Sequence, residues 1–130
     1  MIAGYTLKRL SQISKKFPNT IAIKESSKDY TYKDFFNMVL DISNKILSRK
    51  KGSIIAIIGE KNILSYVSIF GVLMSGGTYI PISSSLPTKR IRRIITKGKA
   101  NIIICNSNKL NFYKKIFPKK FFFYGEEFIY

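Results

Sequence analysis

Apolar positions along the 130-residue chain switch repeatedly between a spacing of three to four and short unbroken or alternating runs, and that switching predicts its elements. Leu7, Leu10 and Ile13 fall at helical spacing, so residues 6–16 read as a short amphipathic helix that ends near Pro18. Thr20–Lys24 alternates and is β-branched, which predicts a strand followed by a polar turn over Ser26–Asp29. Thr31 can cap a second helix, with Asp34 answering it three residues on. Phe35, Val39, Ile42 and Ile46 form its inward stripe, and the basic run Arg49-Lys50-Lys51 ends it with Gly52 as the stop. Ser53–Ile58 is continuously apolar, as suits a strand covered on both faces. Asn62 can start a helix carrying Ile63, Val67, Phe70, Leu73 and Met74, apolar nearly all round. A short strand over Thr78–Ile82, a helix over Thr88–Lys97, a buried strand over Asn101–Cys105 and a last strand over Lys120–Tyr124 complete the series. Alternation of strand and helix predicts right-handed βαβ units: an α/β fold with a mostly parallel sheet flanked by helices, in a single domain without internal repeat or linker.

Residues 71–78, GVLMSGGT, come within one residue of a nucleotide-binding P-loop, with Gly77 where that motif has lysine. The order of elements argues against it. A P-loop runs strand, loop, helix, so that N–H groups at a helix start face the phosphate. Here the glycines follow a helix and precede a strand, and a helix C-terminus presents carbonyls that repel phosphate. Gly76-Gly77 therefore reads as a left-handed helix cap turning the chain into Tyr79-Ile80-Pro81.

The same stretch, Leu73-Met74-Ser75-Gly76-Gly77-Thr78-Tyr79-Ile80-Pro81-Ile82, resembles the second core motif of adenylate-forming enzymes, close to Leu-Lys-Ala-Gly-Gly-Ala-Tyr-Val-Pro-Ile-Asp. That family includes the amino-acid-adenylating domains of nonribosomal peptide synthetases, D-alanine–carrier ligases and acyl-CoA synthetases. Phe17-Pro18-Asn19-Thr20-Ile21-Ala22-Ile23 is similar to its opening Pro-x-x-x-Ala-Val segment, and Thr31-Tyr32-Lys33-Asp34-Phe35 to its Thr-Tyr-x-Glu-Leu helix start. Leu86-Pro87-Thr88-Lys89-Arg90-Ile91 stands where the family has Tyr-Pro-x-Glu-Arg-Leu, and Asn101–Cys105 matches the strand after it. The resemblance covers residues 6–108 in unbroken order, with 109–130 as the tail of the same sheet. Ser83 replaces the motif's usual Asp, and Ser53 the acidic residue that usually follows Gly52.

The resemblance implies the first part of the large N-terminal subdomain of such enzymes, with Thr31, Tyr32, Gly76, Gly77, Tyr79 and Pro81 as structural motif positions. It assigns these residues no catalytic, cofactor-binding or metal-binding role. The family's Ser/Thr/Gly-rich phosphate loop, adenine-contacting segment, ribose-binding Asp and catalytic Lys have no counterparts here. A complete relative would use ATP and magnesium to activate an amino or other carboxylic acid as its acyl-adenylate. The expectation for this chain alone is no cofactor and no activity: a gene remnant, or half of a split enzyme completed by a separate chain. The Gly-Gly-Thr-Tyr-Ile-Pro spacing leans toward amino-acid-activating members.

Composition narrows the chemistry further. There is no His and a single Cys, Cys105, which excludes an internal disulfide, a structural zinc site and a His-based triad. Glu126 and Glu127 are neighbours in sequence, point to opposite faces of an extended strand and read as surface residues. Ser83-Ser84-Ser85 has no base partner and reads as a loop that helps start the next helix. Net charge is +16, from 23 basic and 7 acidic residues. That charge supports an alternative reading, a small basic module for nucleic acid or anionic membrane built on Lys89-Arg90-Ile91-Arg92-Arg93 and the aromatic-basic run Phe112–Tyr124. Lysine far outnumbers arginine, so specific nucleic-acid recognition is not expected. The most apolar region, Ile54–Met74, is broken by Glu60-Lys61-Asn62 and falls short of the roughly 20 residues a membrane span needs. With no signal-peptide pattern at the start, the expected location is cytoplasmic.

Overall fold

The computed structural model describes residues 2–49 and 52–124. Helix α1 (Ile2–Lys16) leads to strand β1 (Ile21–Lys24), strand β2 (Asp29–Thr31) and helix α2 (Tyr32–Leu47). Strand β3 (Ile54–Gly59), helix α3 (Ile63–Met74), strand β4 (Thr78–Ser83), helix α4 (Thr88–Gly98) and strand β5 (Ile102–Cys105) follow. A 3-10 turn (Ser107–Lys109), helix α5 (Leu110–Ile116) and strand β6 (Phe121–Tyr124) complete the order. The expected α/β architecture is present. Four strands form one parallel sheet in the order β4-β3-β5-β6.

Period-two alternation in the two central strands divides the interior. Ile55, Ile57, Ile102 and Ile104 face α1, α2 and α3, burying Leu10, Val39, Ile42, Ile46, Val67 and Val72 with them. Ala56, Ile58, Ile103 and Cys105 face the other way, against Ile91 and Ile95 of α4, Tyr113 of α5 and Phe117 at its end. Helices thus cover both faces, and the connections change sides where the strand order reverses, between β3 and β5. Each fully buried isoleucine contributes about 1.5–3 kcal/mol relative to exposure. The apolar stripe of α2 therefore outweighs its cap, in which Thr31 Oγ1 accepts the Asp34 N–H at 3.1 Å and Asp34 Oδ2 accepts the Thr31 N–H at 3.4 Å. Such a cap contributes about 1 kcal/mol.

Several expectations need correction. The strand expected at Thr20–Lys24 does not join the parallel sheet: β1 pairs antiparallel with β2 in a separate two-stranded sheet. The turn after Lys24 is shorter than expected, so Asp29 already belongs to the return strand. Helix α2 stops at Leu47, soon after its last inward residue Ile46, with Ser48 as its cap. Gly52 is not its stop but a separate left-handed turn (φ 74°) into β3, and Lys50 and Lys51 lie outside the described residues. Helix α1 begins earlier than expected, at Ile2. In β6 the strand forms as expected from Phe121, while the side chains of the Phe121–Phe123 run, like Glu126 and Glu127, lie outside the described residues.

The largest correction concerns α3. Its fully buried line is Leu64, Val67, Ser68, Gly71 and Val72, while Ile63, Phe70, Leu73 and Met74 are half-buried. Gly71 sets this orientation, because a Cβ there would lie 1.7 Å from Cγ2 of Ile42 and 3.1 Å from its Cβ. The glycine lets α2 and α3 approach closely enough for the isoleucine to fill the gap. Phe35 and Phe70 meet edge to face beside this crossing, with ring centroids 5.5 Å apart.

Beyond its left-handed Gly76 (φ 78°), α3 ends in two cap bonds: Gly76 N–H to Leu73 O at 3.1 Å and Gly77 N–H to Val72 O at 3.0 Å. Only the first of the glycine pair is left-handed. Gly77 is required for space, since a Cβ there would stand 2.9 Å from the Ser53 carbonyl oxygen, which itself accepts the Thr78 N–H at 2.9 Å. That contact sets the register of β4 on β3.

Two outcomes follow for stability. Gly71→Ala should destabilise the protein by about 1–3 kcal/mol in urea unfolding. Adding Ile42→Ala should cost less than the two single changes summed, because it removes the clashing methyl. Gly76→Ala should cost about 1 kcal/mol through its left-handed backbone, although the space around it is open.

Candidate functional site

In an open parallel sheet the place to look for ligand chemistry is the carboxyl end of the strands where the connections change sides. Here that place is the gap beyond β3 and β5. It opens into a cavity of about 220 Å³ lined by residues that include Glu25, Tyr30, Asn62, Ile63 and Asn106. The start of α3 faces it. Asn62 caps that helix by accepting the Ser65 N–H at 3.2 Å, and the Glu25 carboxylate accepts the Ile63 N–H. A carboxylate already occupies the position in which a helix start favours an anion. Tyr30 beside it is raised above the ordinary phenol value, first by burial and then by the Glu25 charge. The helix start thus serves the fold, tying the β1–β2 unit to the main sheet.

A second cavity, of about 340 Å³, lies over the tips of β3 and β4 and is lined by Glu60, Ser65, Tyr66, Pro81 and Ser83 among others. The three serines lie at and just beyond the end of β4, and they are partnered. Ser84 donates its hydroxyl proton to Glu60, and the Ser83 and Ser85 hydroxyl oxygens stand 2.8 Å apart. They do not start α4, whose cap residue is Pro87 and which has no side-chain cap bond. The chain holds no imidazole that could activate these hydroxyls.

The six motif positions are dispersed rather than convergent. Thr31 caps α2, and Tyr32, half-buried in its first turn, packs against the α1–α3 side of the core. Gly76 and Gly77 make the α3–β4 turn, Tyr79 packs on the same side of the sheet as Tyr32, and Pro81 sits exposed in β4. Proline suits that place because β4 is an edge strand and needs no N–H on its outer side. Contacts that sequence reading missed are Glu25 on α3 and Asn101. The latter accepts the Ile54 N–H at 3.1 Å through its side chain and donates its own N–H to Ile54 O at 3.0 Å, fastening β5 to β3. Neither leaves a local pattern, since both partners are distant in the chain.

Among the described residues no three His, Cys, Asp or Glu side chains come together to hold a metal. Cys105 is wholly buried, and burial lifts its thiol from 9.0 to about 11, with Lys114 opposing part of the rise. Its neighbour Tyr113 is also raised, first by burial and then by the Cys105 charge. The sign follows from protons held: the folded thiol keeps its proton longer than the unfolded one. Its contribution to stability is whole below the unfolded value of 9.0 and is lost as pH rises through about 11. At mildly alkaline pH the folded protein should react with iodoacetamide at least about a hundredfold more slowly than the urea-unfolded chain, followed by mass spectrometry.

Comparison with known proteins agrees with the geometry. Residues 10–120 match the family model of the AMP-binding enzyme. Nonribosomal peptide synthetase tpzA of Aspergillus terreus is 29% identical over 107 residues, which are 81% of this chain and 4% of that protein. Cyclochlorotine synthetase of Talaromyces islandicus is 27% identical over 101 residues, 76% of this chain and 2% of that one. Among solved structures, the nonribosomal peptide synthetase FmoA3 matches with a TM-score of 0.76 at 24% identity, over 81% of this chain and 12% of the other. VinN matches with a TM-score of 0.82 at 14% identity, over 94% and 33%. Both structural likenesses are likenesses of fold. Among the described residues no helix is long and apolar enough to cross a membrane. The two synthetases extend far beyond the matched region, and the chain belongs to the AMP-binding, adenylate-forming enzyme family, corresponding to an N-terminal part of its nonribosomal-peptide-synthetase-type adenylation domains.

Proposed function

We propose that these 130 residues form the structural base of an amino-acid-adenylating unit and carry out no adenylation by themselves. The observation that supports this most directly is the carboxyl end of the parallel sheet, where Glu25 fills the helix start that could have held an anion. Adenylation joins a carboxylate to the α-phosphate of ATP and expels pyrophosphate, so it requires neutralisation of phosphate charge at one place. Glu60 at the same end of the sheet is bonded to Ser84, and basic side chains are concentrated instead on the outward surface of α4. The phosphate-gripping, adenine-contacting and lysine-bearing segments come, in this reading, from polypeptide outside these residues, in the same chain or a separate one. Magnesium and ATP bind that completed unit. Relatives such as tpzA are peptide synthetases, which favours an amino acid over a long-chain fatty acid as substrate.

Pyrophosphate exchange tests this reading. The purified 130-residue protein, given ATP, magnesium and the twenty amino acids, should give exchange at background. Adding a polypeptide that carries the remaining adenylation segments should raise exchange with one or a few amino acids. Robust exchange by the 130-residue protein alone would sink the proposal.

A further inference from the structure

From Lys61 to Tyr124 the chain contains no Asp or Glu, and between Thr88 and Lys120 it carries 11 Lys and Arg. The fold gathers the helices of the Thr88–Lys120 part on one side of the sheet, because α4 and α5 cover the same face. The opposite layer is mixed in sign, with Asp34 and Asp41 on α2 and an Asp41–Lys45 ion pair at 3.2 Å. Solubility alone would not arrange charges in this way, since it needs only a net charge.

Helix α4 presents more than charge. Ile91 and Ile95 are buried beneath it, while Ile94, packed against the margin of the same core, stays half-buried and leaves part of its side chain on the flank of the helix. There a groove of about 660 Å³ is lined by Pro87, Lys89, Arg90, Arg93, Ile94 and Lys97. Lys89, Arg93 and Lys97 recur every fourth residue and so form a row with about 6 Å of axial rise between neighbours. Pro87, Ile94 and the aliphatic stems of the basic residues make an apolar strip beside that row. Among the described residues none of the four groove cations has an ion-pair or hydrogen-bond partner. Two of them, Lys89 and Arg90, stand in the first turn of a helix that has no side-chain cap. Helix physics disfavours cations there, because they meet the positive end of the dipole.

We propose that this groove docks an acidic, amphipathic segment of a partner protein: a helix with an apolar anchor beside carboxylates spaced four residues apart. The anchor would cover Pro87 and Ile94. The carboxylates would answer the row Lys89, Arg93 and Lys97, and one at the start of α4 would also meet its dipole. Among the described residues no aromatic side chain lines the groove, so nucleic-acid bases would find none of these residues to stack on. Two modest apolar residues give a membrane surface little to bury.

The test measures fluorescence anisotropy of the whole 130-residue protein with a labelled, helix-forming peptide that has leucine anchors and Glu at every fourth position. A scrambled peptide of the same composition and a uridine oligonucleotide serve as comparisons. The ordered peptide should bind at least about tenfold more tightly than the scrambled one. The double change Arg93→Glu with Lys97→Glu should reduce that affinity at least about tenfold, whereas Lys114→Glu with Lys115→Glu should alter it by less than about twofold. Thermal melts would establish that both variants fold, with Arg93→Gln and Lys97→Gln replacing the reversal if it does not. Equal binding of the two peptides, equal loss from both pairs of changes, or tighter binding of the oligonucleotide through Arg93 and Lys97 would overturn the proposal.

Discussion

Two-sided burial of β3 and β5 is the constraint on which the rest of the structure depends. Each strand is an almost unbroken run of isoleucine, so neither face can be left to water, and a single layer of helices could not cover both. Placing α3 on one face and α4 on the other meets that need, and it requires the strand order to reverse about β3. With the two strands central, β4 falls at an edge, where Pro81 costs no ladder bond. Asn101 then reinforces the central pair through both its side chain and its backbone.

The glycines of the α3–β4 region solve three different problems within seven residues. Gly71 admits Ile42 to the helix crossing, Gly76 takes the left-handed turn, and Gly77 lets the chain pass against the Ser53 carbonyl. Their spacing imitates a phosphate loop because close packing and anion binding both need backbone without a side chain. What separates the two uses is the end of the helix involved. A helix C-terminus offers carbonyl oxygens, and here those oxygens are satisfied by the cap bonds from Gly76 and Gly77.

Electrostatic organisation follows from the same layering. The carboxylates Glu25 and Glu60 are engaged in joining elements, one at the start of α3 and one at the serine loop beyond β4. Among the described residues the cations of α4 have no such internal use. A scaffold that uses Glu25 and Glu60 to join its elements and leaves the α4 bases in a row outside has its reserve of unsatisfied interaction on the α4 surface, away from the sheet end where adenylation chemistry would be sought.

Much of the fold was legible in the sequence because it arises from local rules: the period of apolar residues, the Thr31–Asp34 cap, the Asn62 cap and the glycine turn. The motif order also carried the family, since four short segments in one sequence are compared without reference to shape. Three things were decided only by tertiary structure. The first is the separation of β1 and β2 into their own sheet, where a polar turn returns the chain before a helix can cross over. The second is the inward face of α3, which is apolar on nearly every side and so has no preferred direction until Gly71 meets Ile42. The third is the candidate site itself: Glu25 and Ile63 are 38 positions apart, and no periodicity links residues whose contact exists only after the layers close. Local sequence specifies which segments can form, but long-range steric fit and charge pairing determine which of their faces meet.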